Sequence, residues 1–305
     1  MMIVMKVDSI RLRDDRPVTL ATYLLDLSPQ IAWGKRPAVV ICPGGGYMYT
    51  SDREAEPVAT VFLSKGYHAF VLRYTTEDMG VKKVYPDALY DLAKAIALIR
   101  SRADEWGVER DKIALVGFSA GGHLVAMYSV QWYRGWLEKE LGIPKEMLKL
   151  NAVILAYPAG LDFVTMYEVF KGRIGRGVEV FRKMVSLLLG SSEEGISVDK
   201  LREVSPITYV DSNTPPTFIW TTADDPIVPV ESIIAYVYTL ARNNVPFELH
   251  IFGHGVHGLS LSTRTTAKTL DQIDTRVAKW VDLALSWLEE NVFKESVYPY
   301  PLSPV

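Results

Sequence analysis

Short apolar runs rich in β-branched residues recur along the chain: Ala38 to Cys42, His68 to Leu72, Ile113 to Gly117, Ala152 to Tyr157, Thr217 to Thr221 and Phe247 to Phe252. They are too short for ordinary helices, and short apolar runs of this kind are the pattern of strands buried on both faces. Helical periods lie between them. Leu89, Leu92, Ile96, Ile99, Ala103 and Trp106 step by three and four residues, with Pro86 and Asp87 ahead of them and Gly107 behind. That spacing predicts one amphipathic helix over 87–106. Leu270, Ile273, Val277, Trp280, Ala284 and Trp287 repeat it near the C-terminus, and Val230 to Arg242 predicts a further helix before the Phe247 strand. Strand and helix in alternation predict an α/β architecture, a mostly parallel sheet with helices on both faces.

Three segments stand outside that alternation. Ile3 to Arg13 and Val18 to Asp26 are extended and partly alternating, and Asp14-Asp15-Arg16-Pro17 between them predicts a hairpin turn. The stretch from Tyr157 to Thr217 is far longer than an ordinary αβ connection, so an insertion is expected at about 160–205. Phe163, Met166, Tyr167 and Phe170 form one helical face within it, and Phe181, Met184, Val185 and Leu188 another. Those faces either pack on the main core or form a lid over a cleft. The tail Pro299 to Val305, with three prolines, is expected to be irregular.

Composition narrows the class of partner. The 305 residues carry 33 Lys+Arg against 36 Asp+Glu, a net charge of −3, with no basic run to follow a phosphate backbone or an anionic lipid surface. Neither nucleic acid nor membrane is expected as a partner. No apolar run is long enough to span a bilayer and no leader pattern opens the chain, so a cytoplasmic protein is expected. The single cysteine, Cys42, lies in an apolar strand, which makes it a buried thiol with no partner in the chain for a disulfide.

The chemistry concentrates at Gly117-Phe118-Ser119-Ala120-Gly121, a Gly-x-Ser-x-Gly motif that joins an apolar strand directly to a helical stretch. In that context Ser119 sits on a tight strand-to-helix turn, and flanking glycines are needed because a Cβ there would strike neighbouring backbone. A serine hydroxyl needs a base at neutral pH. Of five histidines, His68 and His250 lie in strands and His123 on the helix after Ser119, so each is expected to be structural. His254 and His257 share the loop after the last strand, where catalytic groups collect in open α/β sheets, and either suits the order serine, acid, histidine. A metal-binding pair is disfavoured, since no H-E-x-x-H pattern accompanies them, and no metal or cofactor is expected. Asp224 and Asp225 follow the Thr217 strand as candidate acids. Asp225 is favoured because Pro226-Ile227-Val228-Pro229 and the next helix follow at once. Pro43-Gly44-Gly45-Gly46-Tyr47 follows the Ala38 strand, and Gly45, Gly46 and Ala120 are the expected backbone donors of an oxyanion hole. Tyr47, with the aromatic insertion, is the expected substrate-stacking residue.

Taken in order, the glycine run, Gly117 to His123, Ser205-Pro206-Ile207-Thr208-Tyr209-Val210, Asp225 to Pro229 and Gly255-Val256-His257-Gly258 resemble an α/β-hydrolase. More narrowly, they are similar to the acetyl esterases grouped with feruloyl-esterase-like and xylan-esterase-like proteins, over about residues 37–290. The resemblance implies a single α/β-hydrolase domain and a Ser119, Asp225, His257 triad. It also implies hydrolysis of a small-molecule ester with a short acyl group, such as an acetylated sugar. Pro43 stands where the lipase-like branch has His, which points away from long-chain lipid substrates. A serine peptidase acting on small peptides and a non-enzymatic binding protein on the same fold are the alternatives.

Overall fold

The computed structural model describes residues 5–26, 34–191 and 196–294. Eight strands form one sheet in the order β1-β2-β4-β3-β5-β6-β7-β8. They are β1 (Lys6–Arg11), β2 (Thr19–Leu24), β3 (Arg36–Cys42), β4 (His68–Arg73), β5 (Val108–Phe118), β6 (Ala152–Ala156), β7 (Thr217–Thr222) and β8 (Phe247–Phe252). The six predicted parallel strands, β3 to β8, are present and run parallel to one another, and the N-terminal hairpin supplies two antiparallel strands, β2 pairing with β4. β8, expected to be buried on both faces, is instead partly exposed because it is the edge strand.

Both faces of the central strands β3 to β7 are apolar, which is why those strands read as unbroken hydrophobic runs. In β3, Val40 joins Phe70, Leu92, Ile96 and Leu115 on one side, while Val39 and Ile41 join Phe62, Val116, Phe218 and Trp280 on the other. Each such side chain contributes about 1.5–3 kcal/mol on burial, so neither helical layer is dispensable. Cys42 is a buried free thiol. Among the described residues, no helix is long and apolar enough to cross a membrane.

Two predicted helices are differently built. The run over 87–106 breaks at Arg102, giving the helix Asp87–Ser101 and a short turn of helix, Ala103–Trp106. The second piece is re-aimed so that Trp106 lies against Phe70, ring centroids 5.5 Å apart, before Gly107 in left-handed conformation ends it. The C-terminal helix starts only at Trp280 and spans Trp280–Trp287. Before it, Leu270–Gln272 is a single 3-10 turn closed by a Thr269–Gln272 capping box, with Leu270 facing solvent rather than the core. Asp274 accepts the N–H groups of Arg276 and Val277 and opens the later helical segment.

The insertion between β6 and β7 carries the helices Phe163–Phe170, Arg176–Leu189 and Val198–Glu203. Phe163, Met166, Phe181, Met184, Val185 and Leu188 are buried and continuous with the main core, whereas Tyr167 is exposed at 38%. The start of the second helix lies tight against the loop after β7, where a Cβ at Gly177 would come within 2.7 Å of the Pro226 carbonyl oxygen. The tail 299–305 lies outside the described residues.

Candidate active site

Ser119 stands between the last residue of β5 and the helix Ala120–Ser129, at φ 49° and ψ −115°, a strained conformation for a residue with a side chain. Three backbone hydrogen bonds hold it there. Its N–H donates to Ala156 O at 3.1 Å, and its carbonyl accepts the N–H groups of His123 and Ala159, each at 3.0 Å. The flanking glycines are sterically required. A Cβ on Gly121 would collide with the carbonyl oxygens of Cys42 and Pro43, and one on Gly117 would come within 2.5 Å of Gly121 O.

The loops after β5, β7 and β8 meet at this turn. The Ser119 hydroxyl lies 2.8 Å from His257 Nε2, and His257 Nδ1 lies 2.7 Å from Asp225 Oδ2. A carboxylate only accepts, so Nδ1 carries the ring proton and Nε2 is left as acceptor for the serine hydroxyl. The other oxygen of Asp225 accepts the N–H groups of Ile227 at 2.8 Å and Val228 at 3.0 Å, which fixes the plane of the carboxylate. Burial pulls the His257 pKa down, but the charge and hydrogen bond of Asp225, and then the charge of Glu54, outweigh it and hold it above the ordinary 6.5.

The competing candidates form a second pair. Asp224 accepts from His254 at 3.0 Å and from the N–H of Gly255 at 2.8 Å, out on the surface, so it ties down the histidine loop without reaching Ser119. The two histidines thus face different carboxylates and do not converge on a common ion. Among the described residues no group of three His, Cys, Asp or Glu side chains is arranged to hold a metal. The other three imidazoles bond groups other than the Ser119 hydroxyl: buried His68 meets Leu25 and Gly107, buried His123 meets Tyr47 and Val204, and His250 pairs with Glu248 on β8.

Ser119 and His257 open into a cleft of about 500 Å³ at the carboxyl ends of the strands. Gly45 and Gly46 line it, at φ 129° and 63°, a conformation glycine adopts without steric cost. Ala120 is fully buried and begins the helix, where first-turn N–H groups have no intrahelical acceptor. Arg176 and Val180 from the insertion complete one wall, and Thr269, Asp271 and Gln272 another.

Tyr47 is not at the cleft, which corrects its assignment as a substrate contact. At φ 63° the chain turns its ring into the core, where it is 1% exposed and its hydroxyl lies 2.7 Å from His123 Nδ1. His123 donates from Nε2 to Val204 O at 2.7 Å, so the two side chains strap the glycine loop to the insertion. The aromatic ring on the cleft wall is Tyr49, 52% exposed. Sequence reasoning also missed Arg53 and Glu54, which line the cleft eight and nine residues after Gly45. Arg53 donates to Gly258 O at 2.9 Å and to Thr266 O, bracing the far side of the histidine loop. Their polar surroundings, Ser51-Asp52-Arg53-Glu54, read as a solvated turn, and no periodicity marks the burial of Glu54.

This sheet order, with serine, aspartate and histidine on the loops after β5, β7 and β8, is the α/β-hydrolase fold, and solved structures of that fold match it. A carboxylesterase from Lactobacillus plantarum superposes with a TM-score of 0.76 at 29% identity, over 95% of this chain and 98% of that one. An acetyl ester-xyloside bifunctional hydrolase from Caldicellulosiruptor lactoaceticus does so with a TM-score of 0.74 at 30% identity, over 95% and 98%. The BD-FAE family model matches residues 25–237, and the chain belongs to that family. The Prolyl oligopeptidase family model matches residues 188–289, the part that holds Asp225 and His257. Endo-1,4-beta-xylanase B of Butyrivibrio fibrisolvens is 30% identical over 228 residues, 75% of this chain and 33% of the relative. The chain spans at most about half the length of the curated relatives it matches.

Proposed function

We propose that the protein is a serine carboxylesterase that removes short acyl groups, acetyl foremost, from the hydroxyls of a carbohydrate. The observation that carries this reading is the unbroken hydrogen-bonded line from Ser119 through His257 to Asp225, opening on a cleft. Ser119 Oγ attacks the ester carbonyl while its proton passes to His257 Nε2, and Asp225 stabilises the imidazolium that forms. The carbonyl oxygen becomes an oxyanion held by the N–H groups of Gly45, Gly46 and Ala120. Loss of one such donor typically costs about 10²–10³ in kcat. His257 then protonates the departing alcohol, and water, deprotonated by the same imidazole, releases the acid from the acyl-enzyme.

The short acyl group is supported by the acetyl ester-xyloside hydrolase that shares the fold over nearly its whole length. A cleft of this size suits a small ligand, and the Tyr49 ring offers a face on which a sugar can stack. The insertion at 160–205 serves as a cap within a single catalytic domain. Its apolar faces are committed to the core, so it acts as a fixed wall, with Arg176 and Val180 as its contribution to the cleft.

The match to the Prolyl oligopeptidase family favours a second reading, a peptidase acting on small peptides, since the same constellation cleaves amides. Hydrolysis of p-nitrophenyl acetate but not of an aminoacyl anilide selects the esterase. A fluorophosphonate that labels the wild-type protein at Ser119, and not Ser119→Ala, is the expected result. Ester turnover retained by Ser119→Ala would refute the mechanism. Acetylated xylo-oligosaccharides compared with a chain-length series of simple esters test the substrate class.

A further inference from the structure

Glu54 is a carboxylic acid, 3% exposed, on the wall of the cleft, and the reaction above gives it no part. Both its oxygens are engaged. Oε2 accepts the N–H of Gly44 at 2.7 Å, and Oε1 accepts the hydroxyl of Tyr157 at 2.6 Å. The Tyr157 oxygen itself accepts the N–H of Ser260 at 2.8 Å, so its one proton goes to Glu54. The Tyr157 ring stands edge-on to the His257 imidazole, centroids 5.2 Å apart with the planes at 72°. One carboxylate therefore touches the glycine loop directly and the histidine through a single ring.

We infer that Glu54 is a positioning residue: its charged carboxylate holds the Gly44–Gly46 loop and the His257 imidazole in register with Ser119, and adds a second negative charge facing the imidazolium. The inference rests on the esterase reading. The charged groups around His257 are Asp225, which it bonds, Glu54, and Arg176, which opposes both. Around Glu54 they are His257 and Arg53. Burial raises the Glu54 pKa, against the hydrogen bonds from Tyr157 and Gly44 that favour the charged form. A carboxylate so placed needs two donors, and it has them.

Glu54→Gln tests the inference, read as kcat, KM and the pH profile of p-nitrophenyl acetate hydrolysis. Glutamine keeps the shape but offers one amide oxygen to two donors, so either the Gly44 N–H or the Tyr157 hydroxyl meets an NH2 group. The expected result is a kcat lower by about 10²-fold from misplaced reacting groups, with KM little changed. The acid limb of kcat/KM should also move to lower pH, because an imidazole facing one fewer negative charge stays neutral further into acid. A wild-type kcat overturns the inference, and so does a lowered kcat with the acid limb in place. Should Glu54→Gln fail to fold, as judged by thermal melting, Tyr157→Phe takes its place, removing one of the two donors that hold the carboxylate and favour its charged form. Its kcat is then expected to fall, with any movement of the acid limb toward lower pH, and an unchanged kcat or a limb moved to higher pH overturns the link. Absence of fluorophosphonate labelling at Ser119 in the wild-type protein would refute the esterase reading itself. Labelling together with an unaltered Glu54→Gln would refute only the part given to Glu54.

Discussion

Asp225 Oδ2 lies 2.7 Å from His257 Nδ1, with the aspartate side chain 1% exposed and the imidazole 16%. One residue earlier, Asp224 makes a similar pair with His254 at 3.0 Å, but there the side chains are 54% and 80% exposed. The pairs resemble each other in distance and differ in surroundings. In a low-dielectric site a carboxylate orients and charges an imidazole strongly, whereas water screens the same contact at the surface to little net effect.

Asp225→Asn is accordingly expected to lower kcat on p-nitrophenyl acetate by about 10⁴-fold, since an amide there favours the wrong imidazole tautomer. Asp224→Asn keeps an oxygen for the Gly255 N–H and alters only an exposed contact with His254, so kcat should change by no more than about threefold. Comparable losses in the two variants would mean that the acid has been misassigned.

The pH dependence of turnover follows from His257. Burial lowers its pKa, and Asp225 and then Glu54 raise it further than that, so the folded value lies above 6.5. The base must be neutral, so kcat/KM should fall as pH drops through that raised value, placing the acid limb above pH 6.5 for an uncharged ester. Stability runs the other way for this group. Its contribution is fully present below the unfolded-state pKa and is lost as pH rises through the folded value. An acid limb below pH 6.5 would contradict the charge arrangement around the imidazole.

Acid sensitivity of the fold should come in part from two other histidines. Burial is the main cause that brings both His68 and His123 down to about 4, and the carbonyls of Gly107 and Val204 oppose it only in part. Their folded pKa values lie below the unfolded one, so the stability they confer is present above pH 6.5 and is lost as pH falls toward 4. The loss is about 3 kcal/mol for each, measurable as a shift of the urea midpoint across that window. His123→Gln should flatten this pH slope while lowering stability at pH 7. An identical slope in the variant would show that His123 does not titrate on unfolding.

Tyr49 and Tyr47 should separate cleanly in kinetics. Tyr49→Ala removes the exposed ring from the cleft wall and is expected to raise KM for acetylated xylo-oligosaccharides several-fold, about 1 kcal/mol of contact, with little effect on p-nitrophenyl acetate. Tyr47→Phe removes a buried hydroxyl that meets His123, so it should lower stability by about 1 kcal/mol and leave KM unchanged. A KM effect confined to Tyr47→Phe would restore that residue to the substrate side.

The sequence alone determined what depends on neighbours in the chain. Strand positions follow from apolar runs whose both faces must be buried. The turn at Ser119 follows from the glycine at position 117, where a Cβ would strike the backbone of Gly121 and Gly122 a few residues on, whereas the collision that excludes a Cβ at Gly121 is with Cys42 and Pro43 on the distant β3 loop. Local pattern failed where packing re-aimed a periodic segment, as at Arg102, or spent it on the cleft rim, as at Leu270.

Only the tertiary structure decided which partners meet. Glu54 reads as one more charge in a polar turn until β3, β5 and β6 are laid side by side, which brings Gly44, Ser119 and Tyr157 around it. Asp224 and Asp225 are both candidates in the chain, with Asp225 favoured only by the proline-flanked run that follows it. They are divided by the opposite directions in which consecutive side chains leave the loop after β7, one toward solvent and one toward the buried imidazole. Helix and strand periods state which residues share a face. They carry no information about which loops, distant in sequence, the sheet order gathers at one end.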